Sequence, residues 1–399
     1  MFIKDYIREK GPTKIAGRQS PDHRNLVETR NHFSTVLLIT VLLALAGLAP
    51  ADTVHPKRLA LLPVPLVYYT PETRLAYGVA ATATVHFRRD DGFAAAHPSQ
   101  LTLALAYTQN QQLLLYLPFQ IFYDHNRYYA YGEAGYYRYN YYFYGVGPHE
   151  VPRELYGVHF PRVRVNVFRR VGAGTSAGKL YVGLRYQYED YRVSSVEAGG
   201  QLASGTVPGG LGSRLTGGGL GLFYDSRDNV FFPKKGMVAD LGAFLRNRAA
   251  GAGLAGETTR FARYVADVSE YHALGPHAVL AVNYLGSFIV GTAPFNALSL
   301  LGGSRRLRGY YEGRYRDQNL ALVQTELRVD VYKRLGAVVF GGVGALGDEQ
   351  VLLRLSESKG AYGAGLRFTA NRRDHLNVRL DYGRGQQSSG FYLTVGEAF

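Results

Sequence analysis

Apolar and polar residues alternate with period two along several stretches of this chain. In 179–189, Leu180, Val182, Leu184, Tyr186 and Tyr188 share one face, and Tyr181, Gly183, Arg185, Gln187 and Glu189 the other. In 376–383, Leu376, Val378, Leu380 and Tyr382 oppose Asn377, Arg379, Asp381 and Gly383. In 319–331, Ala321, Val323, Leu327, Val329 and Val331 oppose Gln324, Glu326, Arg328 and Asp330. Successive side chains of a strand point to opposite faces, so each stretch predicts a strand between two different environments. A soluble antiparallel sheet alternates as well. Here the polar face carries charge near mid-strand, as a water-filled barrel lumen allows. Tyrosines crowd residues 127–145, "RYYAYGEAGYYRYNYYFYG", as expected of an interfacial aromatic girdle.

Sixteen strands are predicted: 61–69, 74–88, 99–109, 112–122, 127–140, 155–170, 178–191, 213–225, 237–248, 258–272, 276–290, 319–332, 337–345, 359–369, 374–383 and 390–399. An even number suits a bacterial single-chain barrel. From the fourth strand on, connections after even strands tend to be short ("DHN", "VGAGTSAG", "LGPH", "KRLG", "ANRR"). Those after odd strands are often long (189–213, 291–318, 347–359), the asymmetry of periplasmic turns and external loops. The pattern therefore predicts an all-β fold, a transmembrane antiparallel β-barrel of sixteen strands.

The N-terminal region changes the picture by giving the barrel a route to its membrane. Residues 36–48, "VLLITVLLALAGL", form an apolar core after Arg30 and His32, and "APA" at 49–51 offers a small-x-small cleavage site. This reads as a secretory signal peptide cleaved after Ala51; as a membrane anchor it is short against the ~20 residues of a helical span. Residues 1–51 are thus an extension and signal peptide, and 52–399 a single outer-membrane barrel, with the cell outer membrane as its location. The chain has 399 residues, with 32 Tyr, 48 Gly and no Cys. Without cysteine there is no disulfide framework, thiolate metal site or cysteine lipid anchor. The formal charge of +14 is compatible with anionic lipid or nucleic acid. The basic residues form no long run and no nucleic-acid motif occurs, so nucleic acid is not expected as a partner and outer-membrane lipids are.

Two matches to catalytic patterns lose their force in context. "GTSAG" at 174–178 fits the nucleophile elbow around Ser176, but an alternating strand follows where a helix is needed. "GVGALG" at 342–347 fits a dinucleotide loop, but its neighbourhood is antiparallel and no helix opens on its glycines. The eleven histidines show no metal-ligand spacing. No catalytic residue, metal or cofactor is expected.

The stretch "GGSRRLRGYYEGRYRDQN", 302–319, sets five arginines among glycines and tyrosines without strand or helix periodicity. With the following "LALVQTELR" it resembles the extracellular loop and next strand of the BamA/TamA-type outer-membrane assembly and translocation barrels, the bacterial surface antigen family. The family's V/I/L-R-G-F/Y motif is matched by Leu307, Arg308, Gly309 and Tyr310. "YDSRDNVFFPKKG", 224–236, is similar to the family's D-x-R-x-N…P-x-x-G turn through Asp225, Arg227, Asn229, Pro233 and Gly236. "GFYLTVGEAF" resembles the C-terminal assembly signal, with Phe391, Leu393, Val395 and Phe399. The likeness covers most of 210–399; the N-terminal half matches by pattern alone.

The resemblance implies a loop folded into the lumen, with Arg308 pairing Glu326 on the wall. Alternation independently puts Glu326 on the polar face. The four other loop arginines are expected to be solvated. The family's second acidic position is Gly342 here, which leaves another carboxylate, such as Asp330, to complete the pairing. Glu397 stands where the last strand usually carries an apolar residue. The POTRA repeats and patatin-like domain of family members are not recognisable. The implied function is protein insertion or translocation, or outer-membrane assembly, through a weakly closed seam between first and last strands. Client proteins or periplasmic accessory proteins are its implied partners. A passive diffusion channel is the alternative, and an outer-membrane enzyme a weaker one.

Overall fold

The computed structural model describes residues 59–399 apart from 91–98, 150, 176–177, 251–257, 348–351, 353–356 and 372–374. The signal-peptide reading of 1–51 lies outside the described residues. The strands are β1 (Leu59–Thr70), β2 (Arg74–Val85), β3 (Ser99–Thr108), β4 (Leu113–Tyr123), β5 (Tyr128–Phe143), β6 (Glu154–Thr175), β7 (Gly178–Ser195), β8 (Gly212–Asp225) and β9 (Gly236–Ala250). They continue as β10 (Thr259–Ala273), β11 (Ala278–Gly291), β12 (Ser299–Leu301), β13 (Tyr315–Asp317), β14 (Asn319–Tyr332), β15 (Leu335–Gly347), β16 (Lys359–Asn371), β17 (Leu376–Gly385) and β18 (Ser388–Val395).

Sixteen of them form one closed antiparallel barrel in chain order, with β14 following β11. β12 and β13 make a separate two-stranded ribbon inside the long 292–318 connection, Ser299 facing Asp317 and Leu301 facing Tyr315. The loop is therefore not wholly irregular, as its sequence suggests. The end of the barrel bearing the connections 144–153, 196–211 and 292–318 is the external one by loop length.

The outward face is apolar. Leu184, Leu220, Leu245, Tyr362 and Leu366 are each between 58% and 66% exposed, all at positions that alternate with luminal ones. So large a continuous apolar surface is stable only against lipid tails, which is what the alternation codes for.

The tyrosine run of β5 departs from expectation. Tyr128 and Tyr136 face outward, but Tyr137 is buried inside, and Tyr139 and Tyr141 alternate with it along the same wall. Tyr139 and Tyr141 stack at 4.6 Å between ring centroids, Tyr137 stacks on Phe160 at 5.1 Å, and Phe160 on Tyr191 at 5.0 Å. Half of the supposed girdle is thus an aromatic wall within the barrel, and part of its core.

Closure is uneven around the barrel. β1 pairs with β2 through twelve residues and β17 with β18 through eight, whereas among the described residues β1 and β18 lie side by side with a single ladder pair, Tyr69–Leu393. The cause is visible at the β18 edge: that strand is short, and at Gly396 (φ 84°) the chain leaves it. Residues 396–399 are therefore not strand. The Phe399 ring packs with the buried Tyr271, Val279 and Ala281 on the luminal wall, instead of continuing the outward row of Phe391 and Val395.

Candidate functional site: the loop inside the barrel

The 292–318 connection folds into the lumen and is held at two points. The first is apolar. Phe295, in a single 3-10 turn (Phe295–Ala297), is fully buried with edge-to-face contacts to Phe143, Tyr156 and Tyr191 at 5.6–5.8 Å. Arg316 lies over the Phe143 and Phe295 rings at 5.1 and 5.6 Å and is itself buried, so it is not the solvated residue expected from sequence.

The second point is ionic. Arg308 Nη2 donates to Glu326 Oε1, and Nη1 to Asp381 Oδ2 at 2.5 Å. All three side chains are fully buried. Beneath them, Phe340 places its ring 3.6 Å from the guanidinium carbon. The carboxylates are shared further. Arg328 Nε donates to Glu326 Oε2 (2.7 Å), Arg367 Nη1 to Asp381 Oδ1 (2.5 Å) and Nε to Glu397 Oε2 (2.8 Å). Arg379 lies 3.4 Å from Asp381 and donates to the loop carbonyl of Ser304 (2.9 Å). Buried charges at this density persist only when each is matched.

Asp381, three strands from Glu326 around the wall, thus takes the second acidic role. Asp330 does not: it is half-exposed at the periplasmic end and pairs with Lys234 (3.2 Å). A carboxylate could not replace Gly342, because a Cβ there would come within 2.7 Å of the Gln324 side chain. Gln324 serves the loop instead, accepting the Leu307 N–H (3.1 Å) and donating to the Arg305 carbonyl (2.9 Å). Glu397, turned inward by the break at Gly396, also accepts from Asn377 Nδ2 (2.9 Å).

The motif's other residues fit the loop to the wall. Leu307 is buried among Leu301, Tyr310, Leu320 and Leu322. Gly309 has φ 119°, a conformation that other residues adopt at a cost, and its N–H donates to the Tyr392 hydroxyl (3.0 Å). Tyr310 donates to the Gly360 carbonyl (2.8 Å). The wall makes room: a Cβ on Gly383 would lie 2.6 Å from the Arg308 carbonyl, and one on Gly385 2.3 Å from the Tyr310 ring.

The turn between β8 and β9 lies at the opposite end. Arg227 pairs with Asp225 (2.6 Å), and Asn229 Oδ1 accepts the N–H groups of Phe231 and Phe232 at 2.8 Å. Asp228 Oδ1 accepts from Lys234 N–H (2.9 Å), a capping role the sequence motif did not reveal. Pro233 and Gly236 complete this self-bonded turn, which does not touch Arg308. Ser176 lies outside the described residues.

The external tip of the loop meets the β1–β2 turn. Glu72 there is buried, and its Oε1 accepts the Glu312 N–H at 2.7 Å. Burial, with the Glu312 carboxylate nearby, pushes Glu72 up to about 7. Tyr311 and Tyr392 are the other titratable groups facing it. With a raised folded-state value, the folded chain keeps a proton that the unfolded chain loses above 4.5. The contribution is complete below that value and lost as pH rises through about 7. The unfolding midpoint in detergent is expected to fall between about pH 5 and 8, and Glu72→Gln to flatten that slope. An unchanged slope in the variant would place the titration elsewhere.

Filled lumen, lipid-facing exterior and unevenly closed wall define an outer-membrane barrel whose inside is occupied by its own external loop. Residues 65–399 match the Omp85 superfamily domain. The chain belongs to the Omp85 superfamily. Among solved structures it is similar to BamA from Haemophilus ducreyi lacking POTRA domains 1-3 (TM-score 0.55, 13% identity, 86% of this chain and 70% of that one). It is also similar to CdiB from Escherichia coli (0.56, 10%, 86% and 63%) and CdiB from Acinetobacter baumannii (0.51, 15%, 84% and 60%). At these identities the likeness is one of fold. No curated protein matches the sequence.

Proposed function

We propose that this barrel inserts or translocates proteins at the outer membrane by opening between β1 and β18. The observation that carries the reading is the single residue pair, Tyr69–Leu393, joining those strands. A strand edge freed there presents unpaired N–H and C=O groups on which a client strand can pair. Opening gives up little ladder, since the seam has one pair where its neighbours have eight and twelve. The ionic network lies beside that seam. Arg308 joins the loop to β14 and β17, and Glu397 ties the end of the chain to Arg367 on β16. In this reading Arg308, with Glu326 and Asp381, keeps the loop seated while the seam moves, and Phe391, Leu393 and Val395 present the closing strand to lipid and to β1. A passive channel is disfavoured by the buried Phe295 and Arg308, which occupy the lumen.

The test is insertion of a urea-unfolded outer-membrane barrel into lipid vesicles with and without the reconstituted protein. Acceleration of at least several-fold is expected. Equal rates in both vesicle populations would remove the insertion reading.

A further inference from the structure

The luminal wall holds a second cluster of charges that the Arg308 network does not use. Arg162 and Arg164 on β6, Gln187 and Glu189 on β7, Arg246 on β9 and Arg263 on β10 surround a cavity of about 60 Å³, closed on one side by loop residues Asn296 and Ala297. About 10–15 Å³ of such space holds one water, so the cavity admits a few waters or one small oxyanion.

The charges around it are not balanced. Glu189 accepts from Arg162 (2.7 Å) and from Asn296 Nδ2 (2.9 Å). Glu133 lies 3.6 Å from Arg164 and 3.9 Å from Arg162. Both carboxylates are therefore committed to β6. Arg246 donates to Gln187 Oε1, and its buried Nε has no partner. Arg263 donates to Ser287 Oγ (3.1 Å) and the Ala297 carbonyl (3.4 Å). Among the described residues neither meets a carboxylate. A guanidinium stays charged at any ordinary pH, and a partly buried one without a counter-charge is costly. Four arginines against two carboxylates leave an excess close to two positive charges.

We infer that this cavity is a binding site for a phosphate group, held by Arg164, Arg246 and Arg263. The excess charge matches a dianion, and guanidinium forks arriving from three strands suit a tetrahedral oxyanion with several acceptor oxygens. Because Asn296 and Ala297 form part of the site, the occupant also links the β6–β10 wall to the internal loop.

Equilibrium dialysis of the detergent-solubilised full chain against inorganic phosphate tests this, with folding checked by heat-modifiable gel mobility. One saturable site per chain is expected, weakened at least tenfold by Arg246→Gln and by Arg263→Gln, and unchanged by Arg192→Gln on the exposed external rim. Glycerol phosphate competing for the site would assign it to a phosphomonoester on a larger molecule; failure to compete would assign it to the free ion. Should a variant not fold, the wild-type unfolding temperature decides: a rise with added phosphate, beyond that with equal ionic strength of chloride, supports the site. No saturable binding by folded wild type, binding that survives both substitutions, or no such rise would overturn it.

Discussion

Glu326→Gln is expected to destabilise the barrel by about 3–5 kcal/mol, more than Arg308→Ala does. The asymmetry follows from who is left alone. Without Arg308, Glu326 still holds Arg328 (2.7 Å), and Asp381 still holds Arg367 (2.5 Å), so no buried carboxylate is stranded. The loss is then confined to the loop's own contacts, with no penalty added for a carboxylate left buried and unpaired. Without the Glu326 charge, Arg308 and Arg328 face each other across a neutral amide in a dry site, and repulsion joins the lost attraction. Urea unfolding followed by heat-modifiable mobility reads both variants: Arg308→Ala should give a folded barrel with a freed loop, and Glu326→Gln a barrel that opens at markedly lower urea. Equal midpoints would mean that the network is solvated and contributes little.

Gly383→Val is expected to expel the loop from the lumen. Valine favours strands, and position 383 is ordinary strand in β17, so in an empty barrel the change should be neutral or stabilising. With the loop seated, the new Cβ would lie 2.6 Å from the Arg308 carbonyl carbon and oxygen and 2.7 Å from the Gly309 nitrogen, all backbone atoms with no room to yield. Larger and noisier conductance in planar bilayers, and protease cleavage within 302–318, are the expected readouts. Combined with Arg308→Ala, the effects should fall well short of additive, because both variants release the same contact. A silent Gly383→Val would show that the loop does not occupy the wall groove.

The barrel was legible because lipid imposes a strict alternation: one face must be apolar at every second position, and each of the sixteen predicted segments overlaps a barrel strand. Glu326 was legible for the same reason, since the parity of Ala321 to Val331 leaves it facing inward. The tyrosines of β5 were not, because residues 127–145 carry tyrosine at both parities and the run cannot show which ring faces lipid. Asp381 stood on the predicted luminal face, but its meeting with Arg308 is made by barrel closure across 73 residues of sequence, which no local pattern records. Phe295 was hidden within a long connection, and its signal was an aromatic residue in "APFNAL" with no strand to belong to. The ending of β18 at Val395 turned on one backbone angle at Gly396, which moved Glu397 from an anomaly in a strand to a member of the ionic network.

The most direct test of the proposed opening is to close the seam covalently. The chain has no cysteine, so Tyr69→Cys with Leu393→Cys creates a single pair. Directly facing residues of antiparallel strands have Cα atoms about 4.5–5.5 Å apart, within disulfide reach. Insertion of the unfolded client into vesicles is then measured with the pair oxidised and after reduction. Oxidation is expected to abolish the acceleration and reduction to restore it; full acceleration by the oxidised, fully cross-linked protein would rule out opening at this seam.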